Sequence, residues 1–209
     1  MKFSVIMPVN LSNYQFGSFK CASNPEDKFM RAVNSFINQS FQNAELIIVS
    51  DGCKISEEIY IKNYVNVPNI YFKYIKKQEL FSGIVRQTGI DMASGTIICY
   101  LDHDDMFGKE HLAIINKNFD TEKYDWIYYN DLLVKNIEHT LIEERNVSVA
   151  QNSIGTSSIA HKRNINVLWK TGYGHDWQMI ETNLLKRTSI KIITPQYYVC
   201  HCAGYNMDF

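Results

Sequence analysis

The chain has 209 residues, 45% of them hydrophobic and 13% aromatic, enough apolar material for one substantial core. Its 21 basic and 22 acidic side chains leave a formal net charge of −1, which excludes the basic footprint of a nucleic-acid binder. Ten glycines and four prolines argue against a fibrous or low-complexity protein, and no run approaches the roughly 20 apolar residues that span a bilayer.

The first half predicts alternating strands and helices. Residues 3–9 read as a buried first strand, too short for a signal-peptide core, so Met1 is taken as the start of a cytoplasmic protein. After a polar loop, Asn24, Pro25, Glu26 and Asp27 form a helix start: Asn caps, Pro suits the first helical position, and acids favour the positive helix end. Phe29, Val33, Phe36 and Ile37 follow at helical spacing. Strands are predicted at 46–49, 70–75 and 96–101, with helices at 55–64 and 84–93 between them. This rhythm implies an α/β sandwich around a largely parallel sheet. Beyond Asp105 it loosens. A helix near 109–118, a strand at 126–129, a helical stretch at 176–187 and strands at 190–193 and 197–201 are expected, and the polar stretch to Ser153 carries no clear assignment. No repeat or linker divides the chain, so 1–209 reads as one domain.

Five cysteines, Cys21, Cys53, Cys99, Cys200 and Cys202, lack CxxC spacing and fit reduced thiols. In an extended strand Cys200 and Cys202 share one face and His201 the other, so that triplet cannot grip one zinc ion.

The strongest chemical signal is Asp102-His103-Asp104-Asp105, directly after an apolar strand. Three carboxylates in four residues repel one another unless a cation or partner neutralises them, and ligands bind beyond the carboxyl ends of strands in open α/β sheets. Hard oxygen donors suit Mg²⁺ or Mn²⁺ on a diphosphate; Asp105 can instead cap the helix that follows. Asp51, at another strand end, reads equally as a turn residue or as an acceptor for a nucleotide base. Asp176, ahead of a helix, reads as an N-cap or as a general base. Arg86, near a helix start, is a phosphate partner or a solvated side chain.

Four segments taken in order give these residues a common setting. Residues 4–10 (SVIMPVN), 35–39 (SFINQ) before 45–52 (ELIIVSDG), 86–90 (RQTGI) before 93–95 (ASG), and 101–105 (LDHDD) resemble the opening of the family 2 inverting glycosyltransferases. The resemblance covers residues 1–105 well and implies a GT-A fold, a three-layer α/β sandwich on a mainly parallel, mixed sheet. It implies a nucleotide-sugar half at about 1–105 and an acceptor half at about 106–209.

By that match Asp102-His103-Asp104 stands at the DXD motif, with Asp102 at the ribose and metal and Asp104 on the metal. Asp51 matches the acid that reads the base, Arg86 a position near base and phosphate, and Pro8, Val9 and Asn10 the first strand's contact with the nucleoside. His175-Asp176-Trp177 resembles a Glu-Asp-Trp pattern whose Asp is the catalytic base, with His175 and Trp177 at the acceptor. Residues 197–201 (YYVCH) resemble a late motif whose His completes the metal site, which makes His201 a ligand candidate. Ser50, His103 and His175 depart from the pattern, and the loop 11–23 is longer than usual.

The resemblance implies an enzyme that moves a sugar, UDP-linked by family habit, to a glycan or lipid-linked hydroxyl with Mn²⁺ or Mg²⁺ as cofactor. It would work in the cytoplasm, with room for peripheral contact at the inner face of a membrane. Aromatic side chains such as Trp169 and Trp177 are candidate platforms for sugar rings, although most aromatics pack cores. Three alternatives remain. A haloacid-dehalogenase-like phosphohydrolase also places Asp-X-Asp after a strand, but near its N-terminus. A nucleotidyltransferase carries a Gly-rich basic loop where residues 11–23 hold only Gly17 and Lys20. A non-catalytic nucleotide-sugar-binding relative is the third.

Overall fold

Strand β1 (Phe3–Val9) is buried along its whole length, and so is β2 (Ala44–Asp51). Two such strands need cover on both faces, and their alternation supplies it. Phe3, Val5, Met7 and Val9 join Leu46 and Ile48 in a core against Phe29, Ala32 and Val33. Ile6, Ile47 and Val49 face the opposite way, onto Val85 and Ile98. The first face is closed by helix α1 (Pro25–Ile37), which starts as its sequence predicts: Asn24 accepts from the Asp27 N–H, and Pro25 occupies the first turn. The second face is closed by α3 (Gly83–Met92). A helix–sheet–helix sandwich results.

The computed structural model describes residues 1–11, 24–79, 82–134 and 142–200. Its remaining elements are α2 (Lys54–Asn63), β3 (Ile70–Ile75), β4 (Ile97–Tyr100), β5 (Met106–Phe107), α4 (His111–Asn118), β6 (Trp126–Tyr128), β7 (Asp131–Val134), β8 (Ile142–Arg145), β9 (Ile159–Lys162), α5 (His175–Met179), β10 (Ser189–Lys191) and β11 (Tyr197–Val199). A π-helical turn, Ile180–Leu184, extends α5. The predicted mixed, mainly parallel sheet is present with seven strands in the order β10-β6-β9-β4-β1-β2-β3. Pairs β1–β2, β1–β4, β2–β3 and β6–β10 are parallel, and β9 runs antiparallel to both β4 and β6.

The order of strands locates the crevice. The chain steps outward from β1 to β2 and β3, then returns to place β4 on the other side of β1. At such a switch point the loops leaving neighbouring strands diverge and open a cleft at their carboxyl ends. Asn10, Asp51 and Asp102 stand at the ends of β1, β2 and β4. A second sheet, β5-β11-β7-β8, lies in the later half.

Three short strands, β5, β7 and β8, occupy stretches without an assignment from sequence, and β9 was not anticipated. Asp105 caps no helix: β5 follows it, and its carboxylate accepts from the Cys200 N–H at 2.9 Å and the Tyr197 hydroxyl at 3.1 Å. Among the described residues no helix is long and apolar enough to cross a membrane.

Candidate functional site

The cleft is organised around Arg86. Its position on the first turn and a half of α3 puts it under the end of β4, and its side chain is only 5% exposed. A guanidinium cannot shed its charge, so burial has to be matched by acids. Nη2 donates to Asp102 Oδ1 at 2.6 Å, and Nη1 lies 3.9 Å from Asp176 Oδ1. Burial acts to lower the Arg86 pKa, but the two carboxylates overcome it and raise the value. The floor of this nest is Trp169, whose ring centroid is 5.2 Å from the guanidinium carbon, a cation–π distance. Trp169 is held by its indole N–H on the Tyr100 hydroxyl at 3.2 Å and by its backbone N–H on Gln87 Oε1 at 2.9 Å. With its ring taken up in this way and 7% exposed, Trp169 is not the open sugar platform that its sequence position suggested.

Asp176 stands at the start of α5. The expected N-cap role is absent, since Gly174 holds the cap position without a side-chain bond. Burial would raise the Asp176 pKa, yet the neighbouring His175 and the Arg86 charge bring it below the ordinary carboxylate value. Asp176 is therefore ionised at neutral pH. Its Oδ1 is buried without a hydrogen-bond partner among the described residues, while the side chain as a whole remains about a third open, at 36%. A Cβ placed on Gly155 would lie 3.8 Å from Oδ2, so the missing side chain of Gly155 leaves room beside that oxygen.

The acid run after β4 divides its tasks. Asp102 pairs with Arg86, and its backbone N–H donates to the Tyr197 hydroxyl at 3.1 Å. That hydroxyl donates onward to Asp105, so one tyrosine of β11 fixes both ends of the turn. Burial, then the charges of Asp104 and Asp102, raise the Asp105 pKa well above the usual carboxylate range. The Asp104 carboxylate makes no hydrogen bond or ion pair among the described residues, whereas its carbonyl accepts from Arg31 Nη2 at 2.5 Å.

No group of three or more His, Cys, Asp and Glu side chains gathers as a metal cage among the described residues. The donor set nevertheless fits a hard divalent cation: among the described residues the Asp104 carboxylate is uncommitted, on the same turn as Asp102. His201 lies outside the described residues. His103 is half-buried beside these acids.

At the far side of the cleft, Asn10 Nδ2 donates to the Asp51 carbonyl at 3.2 Å. Pro8 and Val9 are buried in β1 and present no side chain to the opening. The Asp51 carboxylate accepts from the Gln78 N–H at 2.6 Å and from Lys77 Nζ. Asn10, Gly52, Cys53, Lys54, Ile55 and Lys77 line a cavity of about 250 Å³ there. Trp177 is half-buried and packs on the core beneath α5.

Residues 21–168, more than half of the chain, match the profile described as Glycosyl transferase family 2. The chain belongs to that family. A relative, the minor teichoic acid biosynthesis protein GgaB of Bacillus subtilis, is 32% identical over 113 residues, which are 53% of this chain and 13% of that one. The crystal structure of residues 1–349 of S. aureus TarS in complex with UDP-GlcNAc superposes with a TM-score of 0.74 at 17% identity, covering 100% of this chain and 60% of that one. A mannosyltransferase from Pyrobaculum calidifontis in complex with GDP-Man and Mn²⁺ superposes at 0.65 and 11% identity, covering 94% of this chain and 56% of that one. The sandwich is thus the GT-A fold of TarS. The chain spans less than two thirds of the length of each of these proteins.

Membership in family 2 displaces the haloacid-dehalogenase and nucleotidyltransferase alternatives. Several contributors to the cleft escaped the sequence reading: Ser82, Lys77, Tyr197 and Arg31. Arg31 left a usable trace, being a charge among Phe29, Ala32 and Val33 on the buried side of an amphipathic helix. The others act from segments whose proximity only the fold creates.

Proposed function

We propose that this chain is the catalytic domain of an inverting glycosyltransferase, with a donor half at about 1–105 and an acceptor half at about 106–209. The observation that carries this reading is the sharing of buried Arg86 by Asp102 and Asp176, at 2.6 and 3.9 Å. A donor held at the end of β4 and a base at the start of α5 meet there.

In this reading Asp176 accepts the proton of an acceptor hydroxyl as that oxygen forms its bond to the anomeric carbon. The bond from that carbon to the nucleoside diphosphate breaks on the opposite face, and the configuration inverts. Asp102 and Asp104, with His201, are the proposed holders of Mn²⁺ or Mg²⁺, which when bound neutralises charge on the diphosphate. Arg86 adds fixed positive charge beside them in a site that needs no reorganisation. Asp51, Asn10 and the end of β1 through Pro8 and Val9 are assigned to the nucleoside, His103 to the donor, and His175 and Trp177 to the acceptor side. A UDP-linked sugar is the proposed donor, in keeping with the UDP-GlcNAc bound by TarS. A glycan or lipid-linked hydroxyl is the proposed acceptor, reached in the cytoplasm or at the inner face of a membrane.

Calorimetric titration of UDP, GDP and dTDP, each with and without Mn²⁺ and repeated on Asp104→Ala, tests the donor site. Metal-dependent binding of one nucleotide, lost in the variant, is expected. Absence of binding by all three with metal present refutes it.

A further inference from the structure

The two oxygens of Asp176 face different surroundings. Oδ1 is turned into a packed wall, 3.0 Å from His175 Nε2 and 3.9 Å from Arg86 Nη1. The same His175 nitrogen meets Arg86 Nη1 at 3.0 Å and the Ser82 hydroxyl at 3.2 Å. Oδ2 faces Gly155. A Cβ added there would lie 3.8 Å from Oδ2 and, chain neighbours apart, would meet no other atom of the described residues within 4 Å. The fold does not demand this gap. Gly155 has φ −143° and ψ −171°, extended backbone that any residue adopts. The turn that carries it is also fixed. The Gly155 carbonyl accepts from the Ser158 N–H at 3.2 Å, and the Ser157 and Ser158 hydroxyls donate to Asp131 Oδ2 at 2.7 and 2.8 Å. Asp131 is wholly buried and paired with Arg145. A side chain added at 155 therefore projects beside Oδ2 from a turn that does not give way.

We infer that Gly155 is a specificity-determining residue, whose bare backbone leaves the space beside Asp176 Oδ2 to the carbon that bears the acceptor hydroxyl. This inference rests on Asp176 as the base of the proposed transferase. A hydroxyl oxygen hydrogen-bonded to Oδ2 brings its own carbon to about 3.5 Å from that oxygen. A Cβ at 155 would occupy the same shell. The hydroxyl gives its proton to Oδ2, its oxygen bonds to the anomeric carbon, and the nucleoside diphosphate leaves with the electrons of the broken bond. Water in the same place yields the free sugar. The gap fits a hydroxyl on a substituted carbon, as in a polyol or a sugar.

Competition between nucleophiles tests it. Wild type, Gly155→Ala and Gly155→Val are each given UDP-GlcNAc or GDP-Man with Mn²⁺ and equal molar methanol and glycerol. Free sugar, methyl glycoside and glyceryl glycoside are then quantified by mass spectrometry. The glyceryl-to-methyl ratio is internal to each sample, so slower turnover or partial unfolding leaves it unmoved. It should fall about tenfold or more in Gly155→Ala and further in Gly155→Val. A ratio within about twofold of wild type in both variants overturns the inference, as does an alanine variant that loses all three products together. A wild type that releases free sugar but glycosylates neither alcohol also overturns it, because the gap should admit both. A wild type that turns over neither donor refutes the transferase reading itself, whereas an unchanged ratio in active variants refutes only the role of Gly155.

Discussion

Arg86 Nη2 meets Asp102 Oδ1 at 2.6 Å from a side chain that is 5% exposed, while Asp102 itself is 31% exposed. The arginine is thus the dry partner and the aspartate the wet one. Removing the charge from the dry side strands two acids, Asp102 and Asp176, without a counter-ion. Arg86→Met is expected to lower kcat/KM by about 100-fold or more, which corresponds to ~2.7 kcal/mol of lost transition-state stabilisation. Arg86→Lys should recover little, because one ammonium cannot reach Asp102, Asp176 and His175 together. Steady-state donor hydrolysis checks both variants.

Metal and nucleotide should stabilise the chain together. At about 100 times its Kd, UDP with Mn²⁺ should add ~2.7 kcal/mol to unfolding, seen as a rise in melting temperature. EDTA should abolish the rise. Asp104→Ala should show none, since Asp104 is the carboxylate left uncommitted, among the described residues, on the turn after β4. An equal rise in EDTA would remove the metal from the account.

Glu45 gives a pH signature away from the cleft. Its carboxylate accepts from Ser4 Oγ at 2.6 Å, the Ser94 N–H at 2.7 Å and Lys2 Nζ at 2.9 Å. Burial would raise its pKa, but these bonds, the one from Ser4 foremost, carry it from 4.5 down to about 2. A depressed acid stabilises the fold above its unfolded pKa and loses that contribution as pH falls through the folded one. Melting temperature should therefore drop between pH 4.5 and 2 in the wild type. Glu45→Gln should be flatter over this window and about 2 kcal/mol less stable at pH 7.

Asp105 is the buried acid of the turn. It is 4% exposed and is pressed by the charges of Asp104 and Asp102. Asp105→Asn keeps Oδ1 for the Cys200 N–H, and its Nδ2 can donate to the Tyr197 oxygen in place of the bond that Oδ2 accepts, so it should destabilise less than alanine. Asp105→Ala leaves both donors buried and unpaired, at a cost of about 1–3 kcal/mol. Chemical denaturation separates the two.

Gly83 pins the loop that carries Trp169. A Cβ there would lie 2.0 Å from the Lys170 carbonyl oxygen, so any side chain drives the two segments apart. Gly83→Ala should cost about 1–3 kcal/mol and lower kcat beyond what the stability loss explains, because Trp169 would no longer support Arg86. Activity and melting measured on the same sample check this.

The sequence made β1, β2 and β4 legible because strands buried on both faces are continuous apolar runs, and β3, though half exposed, because it is rich in aromatic and β-branched residues. The capped start of α1 was equally plain. β9 was not legible. Its four residues, Ile159 to Lys162, include His161, a buried polar ring whose Nε2 meets the Tyr100 hydroxyl at 2.8 Å on the neighbouring strand. β8 is exposed along its whole length and shows no alternation. In the cleft, Asp102, Asp51 and Arg86 could be singled out because each sits at an element end, where the fold class places ligands. Ser82 and Tyr197 could not, since they act through hydrogen bonds formed by distant segments, and Trp169 was legible only as an aromatic in the later half, not as the ring packed against Arg86. The N-cap expectation for Asp105 failed for the same reason: β11 claims its carboxylate.

The most direct test of the central claim is release of nucleoside diphosphate from UDP-GlcNAc and GDP-Man with Mn²⁺, compared between wild type and Asp176→Asn, with nucleotide binding measured in parallel. The account predicts turnover that falls by about 10²-fold or more in the variant while the nucleotide binds both proteins equally. Undiminished turnover in Asp176→Asn would contradict the assignment of Asp176 as the base.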